Sequence, residues 1–176
     1  MTRFELVGVA PEIVPLVLER SRTQPSVARG ERTGWQSGND LFSWSADTHA
    51  LGKQIADAVM AAHDRPLEEI ALFGWANVFN RGVFFNPHLH SDAAWSGVYY
   101  LDAGDSGHAA GGTLMLRDPR AGAGMVIGDA NQHDSATCFE ITPRSGELWV
   151  FPAWLLHWVT PYQSDLPRIS ISFNAR

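Results

Sequence analysis

Three histidines and one arginine carry the residue types and spacing that metal chemistry uses. His88 and His90 stand two positions apart, His157 lies far downstream in Phe151-Pro152-Ala153-Trp154-Leu155-Leu156-His157, and Arg168-Ile169-Ser170 follows eleven positions after it. On an extended chain residues i and i+2 share a side, so His88 and His90 can face one interior with Leu89 packed behind them. A third imidazole brought in by the fold would close a metal pocket, and the arginine would add an anion clamp. Such a pocket suits an Fe(II) oxygenase fed by a dicarboxylate co-substrate.

Two registers compete for the ligand set. His90 and Asp92 share the same two-residue spacing, and with His157 they would form a two-histidine, one-carboxylate triad. In the other register His88 completes a three-histidine set. An aspartate would neutralise one charge of the ion, whereas a third imidazole leaves both charges for a dianionic co-substrate to offset. His90 and His157 are ligands in both. Arg168, Ser170 and Ser172 share one face of the last strand, and a guanidinium with a hydroxyl two residues on suits a carboxylate of such a co-substrate. Tyr99 or Tyr100 should face the same pocket, with Tyr99 preferred, and Asn77 and Asn174 are further candidates for its wall. Arg117 and Arg120 read as salt-bridging turn residues around Asp118-Pro119, with contact to a substrate carboxylate as the alternative.

The bulk of the chain limits what surrounds this site. Its 176 residues fit a single domain, 1–176, with an N-terminal helical and loop part over 1–68 and a strand-rich core over 69–176. A single cysteine, Cys138, excludes an intramolecular disulfide and a paired-thiolate zinc site, so any metal is held by nitrogen and oxygen. The formal net charge is −6 and Lys53 is the only lysine, which argues against nucleic acid or an anionic membrane as partner. No apolar run approaches the ~20 residues of a membrane helix, and a cytoplasmic location is expected.

The elements follow from periodicity. A short strand is expected over Phe4 to Val9, then a helix opening at Pro11 with Pro15 in its first turn. Gln24 to Asp40 reads as a long surface loop carrying Trp35, able to cover a pocket. A second helix, capped by Thr48 or Asp47, carries Leu51, Ile55, Ala58, Val59 and Ala62 at helical spacing and ends near His63. His49 and His63 read as exposed structural histidines, and His108 and His133 as solvated ones. Eight strands are expected after Glu69: Ile70 to Phe79, Val83 to Phe85, Ser96 to Leu101, Gly112 to Leu116, Cys138 to Thr142, Glu147 to Phe151, Trp158 to Pro161 and Arg168 to Phe173. Short strands between Gly, Pro, Asp and Asn predict a mainly β fold of jelly-roll or cupin-like type, with the N-terminal helices on one outer face. Gly104 to Gly112 and Pro119 to Asp134 are its longest loops. Trp75, Trp95, Trp149, Trp154 and Trp158 read mostly as core.

Trp75-Ala76-Asn77, Gly82, His88-Leu89-His90, Trp95-Ser96-Gly97-Val98-Tyr99-Tyr100-Leu101, Asp118-Pro119-Arg120, Phe151 to His157 and Arg168 to Asn174 together resemble the 2-oxoglutarate/Fe(II)-dependent oxygenases with a His-X-His motif. The resemblance spans about residues 70 to 176. It implies a double-stranded β-helix, Fe(II) and 2-oxoglutarate as cofactors, dioxygen as reactant, and a small molecule or peptide as substrate. The family pattern favours His88 as third ligand, although proline usually follows the second histidine where this chain has Ser91 and then Asp92. The His157 to Arg168-X-Ser170 gap is similar to that of the wider superfamily. Two other readings are a cupin-like three-histidine metalloenzyme without 2-oxoglutarate, against which Arg168 and Ser170 argue, and a jelly-roll binding module.

Overall fold

A computed structural model describes residues 1–9, 11–28, 34–63, 70–107, 109–120 and 138–176. The described strands form two antiparallel sheets. The larger runs β1(Thr2–Glu5), β8(Glu147–Pro152), β5(Trp95–Asp102), β10(Arg168–Ala175), β3(Leu72–Phe79), β2(Trp35–Gln36) from edge to edge. The smaller runs β4(Phe85–His88), β9(His157–Val159), β6(Leu114–Arg117), β7(Cys138–Ile141). This is the jelly roll that the strand pattern predicts, in the double-stranded β-helix form that the resemblance implies, and every expected strand is present with ends displaced by a few residues.

Alternation gives the large sheet two different faces. Ala76, Val78, Tyr99, Leu148, Val150, Ile169, Ile171 and Phe173 form one core with Ile13, Val17, Leu51, Ile55 and Val59 of the two helices, α1(Ile13–Thr23) and α2(Ala46–Ala62). Phe79, Val98, Tyr100 and Phe151 face the other way and meet Leu114, Leu116, Ile141 and Val159 of the small sheet. The helices therefore lie on one outer face, and the space between the sheets is left to the site. At ~25 cal/mol per Å² of apolar surface, each fully buried large side chain contributes roughly 1.5–3 kcal/mol toward holding the sheets together.

Several local expectations are corrected. Ser45, and neither Asp47 nor Thr48, caps α2: its hydroxyl accepts from the Thr48 amide at 3.2 Å, while the Thr48 hydroxyl accepts from the Ser45 amide at 2.9 Å. The interval from Gln24 to Asp40 is not only loop. Trp35 is buried there, its indole N–H donating to the Gln24 carbonyl, and β2 pairs with β3 through Trp35↔Val78 and Gln36↔Asn77. Beyond it Phe42 wedges between α2 and β3, where a Cβ on Gly74 would lie 2.3 Å from its ring; only glycine permits that approach. His63 is half-buried against the Trp95 ring, whereas His49 is exposed. Of the five tryptophans expected in the core, Trp75, Trp95, Trp149 and Trp158 are half-buried and Trp154 is 59% exposed. His108, His133 and most of Pro119 to Asp134 fall outside the described residues. Among the described residues no helix is long and apolar enough to cross a membrane.

Candidate metal and anion site

The small sheet brings the histidines together. His88 ends β4, His157 opens β9, and the two are direct register partners, while the His90 amide donates to the Ala153 carbonyl just before the turn into β9. Ring centroids lie 4.3 Å apart for His88 and His157, 5.2 Å for His88 and His90, and 5.3 Å for His90 and His157. One ring nitrogen from each falls within 4.8 Å of the other two. Facial ligands at a metal–nitrogen distance of roughly 2.1 Å stand about 3 Å apart, so the set closes by small side-chain rotations. Leu89 does not pack behind them. It is 49% exposed, because the chain leaves β4 at His88 and the face opposite the ligands is open to solvent.

Hydrogen bonding leaves nitrogens free to converge. Nδ1 of His88 lies 2.7 Å from the Asn86 carbonyl and Nδ1 of His157 lies 2.8 Å from the Leu155 carbonyl. A carbonyl only accepts, so both Nδ1 atoms carry the proton and both Nε2 atoms are bare. Burial pushes the His157 pKa down to about 4, with His88 and His90 adding to the fall and the Leu155 contact opposing it. Burial and the neighbouring His88 likewise lower that of His90, against a smaller opposite pull from Asp92. The His90 and His157 imidazoles are neutral at neutral pH, the form a metal requires.

Arg168 stands at the other end of the same cavity. Its side chain is 2% exposed, with the guanidinium carbon 4.7 Å above the Phe79 ring and 5.1 Å above the Tyr100 ring. Nε and Nη1 are buried without a hydrogen-bond partner, and among the described residues no carboxylate lies within ion-pair distance. Burial lowers its pKa, and adjacent Tyr100 pulls the other way. A buried cation with unfilled donors can receive an anion, and the described residues supply none.

The cavity between these poles measures about 380 Å³. Trp75, Phe79, Phe85, Leu114 and Phe151 supply apolar wall, and Ser170 and Ser172 share the Arg168 face as their spacing predicts. Tyr100, not Tyr99, borders it: Tyr99 points into the helix-side core, while the Tyr100 hydroxyl is buried and unpartnered beside Arg168. Burial raises the pKa of both phenols, so both stay protonated. Asn77 sits one layer back, donating to the Ser172 hydroxyl at 3.0 Å. Asp92 lies outside the histidine cluster, in a separate cavity of about 120 Å³ shared with Asn39, Asn174 and Arg176. Arg120 pairs with Asp118 at the surface, as read. Sequence reasoning missed Gln36 and Asn86 at the cavity wall; Gln36 comes from the segment read as loop, and no periodic signal marks it.

The sequence matches the family described as "Putative 2OG-Fe(II) oxygenase" over residues 74–174. The chain belongs to that family. It is a 2-oxoglutarate- and Fe(II)-dependent oxygenase, and the matched span runs from within β3 through all three histidines and Arg168 to within β10. Among solved structures it is similar to a prolyl-4-hydroxylase from Pseudomonas putida (TM-score 0.72, 17% identity, covering 99% of this chain and 91% of that one). A prolyl hydroxylase from Trichoplax adhaerens, in complex with a peptide fragment of hypoxia inducible factor, is similar at TM-score 0.69 and 13% identity, over 99% and 82% of the two chains. HygX from Streptomyces hygroscopicus, with nickel and 2-oxoglutarate bound, is similar at TM-score 0.66 and 13% identity, over 98% and 82%. At these identities the likeness is one of fold. No curated protein matches. The residues of this family member fit its cofactors, since three imidazoles face a metal-sized gap and the unfilled Arg168 donors could take a carboxylate.

Proposed function

We propose that the enzyme hydroxylates a C–H bond of a small molecule or peptide, with His88, His90 and His157 holding Fe(II). Bound there, Fe(II) and 2-oxoglutarate supply dioxygen activation coupled to release of succinate and CO2. The protein's own residues bind and exclude. Arg168, with Ser170, receives the distal carboxylate of the co-substrate, and Tyr100 stands as a neutral donor beside it. Aromatic walls keep water from the reacting centre. The observation that carries this reading is the buried Arg168, without a counter-ion among the described residues, in one cavity with three converging imidazoles. A cupin-like enzyme that binds its substrate directly on the metal would need that cation only for an anionic substrate.

Apart from Arg168 and the histidines, the described lining carries no ionisable group other than buried Tyr100. The acidic net charge speaks against nucleic acid or an anionic membrane as partner. One cysteine leaves no internal disulfide to require an oxidising compartment, in keeping with a cytoplasmic enzyme built as one unit over 1–176.

Anaerobic addition of Fe(II) and 2-oxoglutarate should give a weak visible charge-transfer band. His157→Ala and His90→Ala should lose that band and succinate formation, with unchanged far-ultraviolet circular dichroism. His88→Ala should cost far more iron affinity than Asp92→Ala, because Asp92 lies outside the cluster. Wild-type succinate release from His157→Ala would sink the assignment, and the reverse ranking of the last pair would restore the carboxylate triad. Profiling metabolites and peptides for a gain of one oxygen atom would identify the substrate.

A further inference from the structure

Two of the three imidazoles have their proton fixed by the backbone, through the carbonyl two residues earlier in each case. His90 does not follow that pattern. Its Nδ1 faces the side-chain amide of Asn174, with the amide nitrogen placed 3.3 Å away and the amide oxygen buried without any partner. In that orientation the NH2 would donate to Nδ1, which places the His90 proton on Nε2. That proton would then occupy the nitrogen needed to join the other two. The two ends of an amide are nearly identical in shape, and the hydrogen-bond network decides between them. Turning the Asn174 amide about its last side-chain bond puts its oxygen against Nδ1, gives that orphaned acceptor a donor, and bares Nε2.

We propose that Asn174 is a positioning residue for His90: its carbonyl oxygen accepts from Nδ1–H, fixes the tautomer and turns Nε2 toward the Nε2 atoms of His88 and His157. The inference rests on the metal reading above. Asn174 sits on β10, six positions beyond Arg168, so one strand of the large sheet carries the anion clamp at one end and the support for a ligand of the small sheet at the other. A histidine whose second nitrogen gives its proton to an oxygen is also a stronger metal ligand.

The tautomer is read directly by nitrogen-15 NMR of the metal-free protein at pH 8, with the His90 signals assigned by their loss in His90→Gln. The expected result is a proton on Nδ1 in the wild type and in Asn174→Asp, whose carboxylate can only accept, and a proton shifted to Nε2 in Asn174→Leu. Binding of Co(II), an oxygen-stable probe, should weaken about tenfold to a hundredfold in Asn174→Leu and hold in Asn174→Asp. A wild-type His90 protonated on Nε2 overturns the proposal, as does an Asn174→Leu protein with wild-type tautomer and Co(II) affinity. Should Asn174→Leu fail to fold, the wild-type spectrum and Asn174→Asp still decide. Failure of the wild type to bind Co(II) would overturn the metal reading itself, and is distinguishable because the tautomer is measured without metal.

Discussion

Arg168 illustrates how one side chain carries more information than its neighbours. A charge-assisted pair with a carboxylate contributes roughly 2–3 kcal/mol, so Arg168→Ala should raise the KM for 2-oxoglutarate on the order of tenfold to a hundredfold while iron binding persists. Steady-state succinate release against co-substrate concentration measures this. Tyr100→Phe should raise the same KM severalfold and Tyr99→Phe should leave it alone, because only the former hydroxyl is unpartnered beside the guanidinium. The histidines and Arg168 were legible in the sequence because two-residue and eleven-residue spacings survive any detail of packing. The choice between Tyr99 and Tyr100 was not. Two identical residues side by side carry no marker of which faces inward; that is decided by the pairing Ser170↔Tyr100 and the irregularity between Ile169 and Ser170.

At the scale of elements, strands were read to within a few residues because the alternation of Arg168-Ile169-Ser170-Ile171-Ser172-Phe173 separates the two faces outright. Helix ends were read less well. Thr48 has the right side chain for a cap, and only the reciprocal bonding shows it to be the third helical residue of a box opened by Ser45. Ser45→Ala should lower stability by ~1 kcal/mol, a fall of about 2–4 °C in Tm for a chain of this size, with succinate formation at 25 °C unchanged. Differential scanning calorimetry of the two proteins checks it. β2 escaped the sequence reading altogether, since two residues are too few to show a period and their polar surroundings read as loop.

For the whole molecule, the site sets a pH limit on the metal-free fold. His157 has a folded-state pKa of about 4, below the ~6.5 of an unfolded histidine, so the unfolded chain takes up the proton first as pH falls. The stability this gives the native state is whole above pH ~6.5 and is lost progressively down to about 4, by an amount on the order of 3 kcal/mol. His90 acts in the same direction. The Tm of metal-free protein should therefore drop between pH 7 and 4.5, and His157→Leu should flatten that part of the curve. The buried guanidinium has a longer reach. Removing a cation from water without supplying its counter-charge opposes folding, so the empty enzyme is less stable than the same scaffold with a methionine at position 168 would be. The scaffold therefore carries an electrostatic load at position 168, which an anion seated beside the guanidinium would relieve.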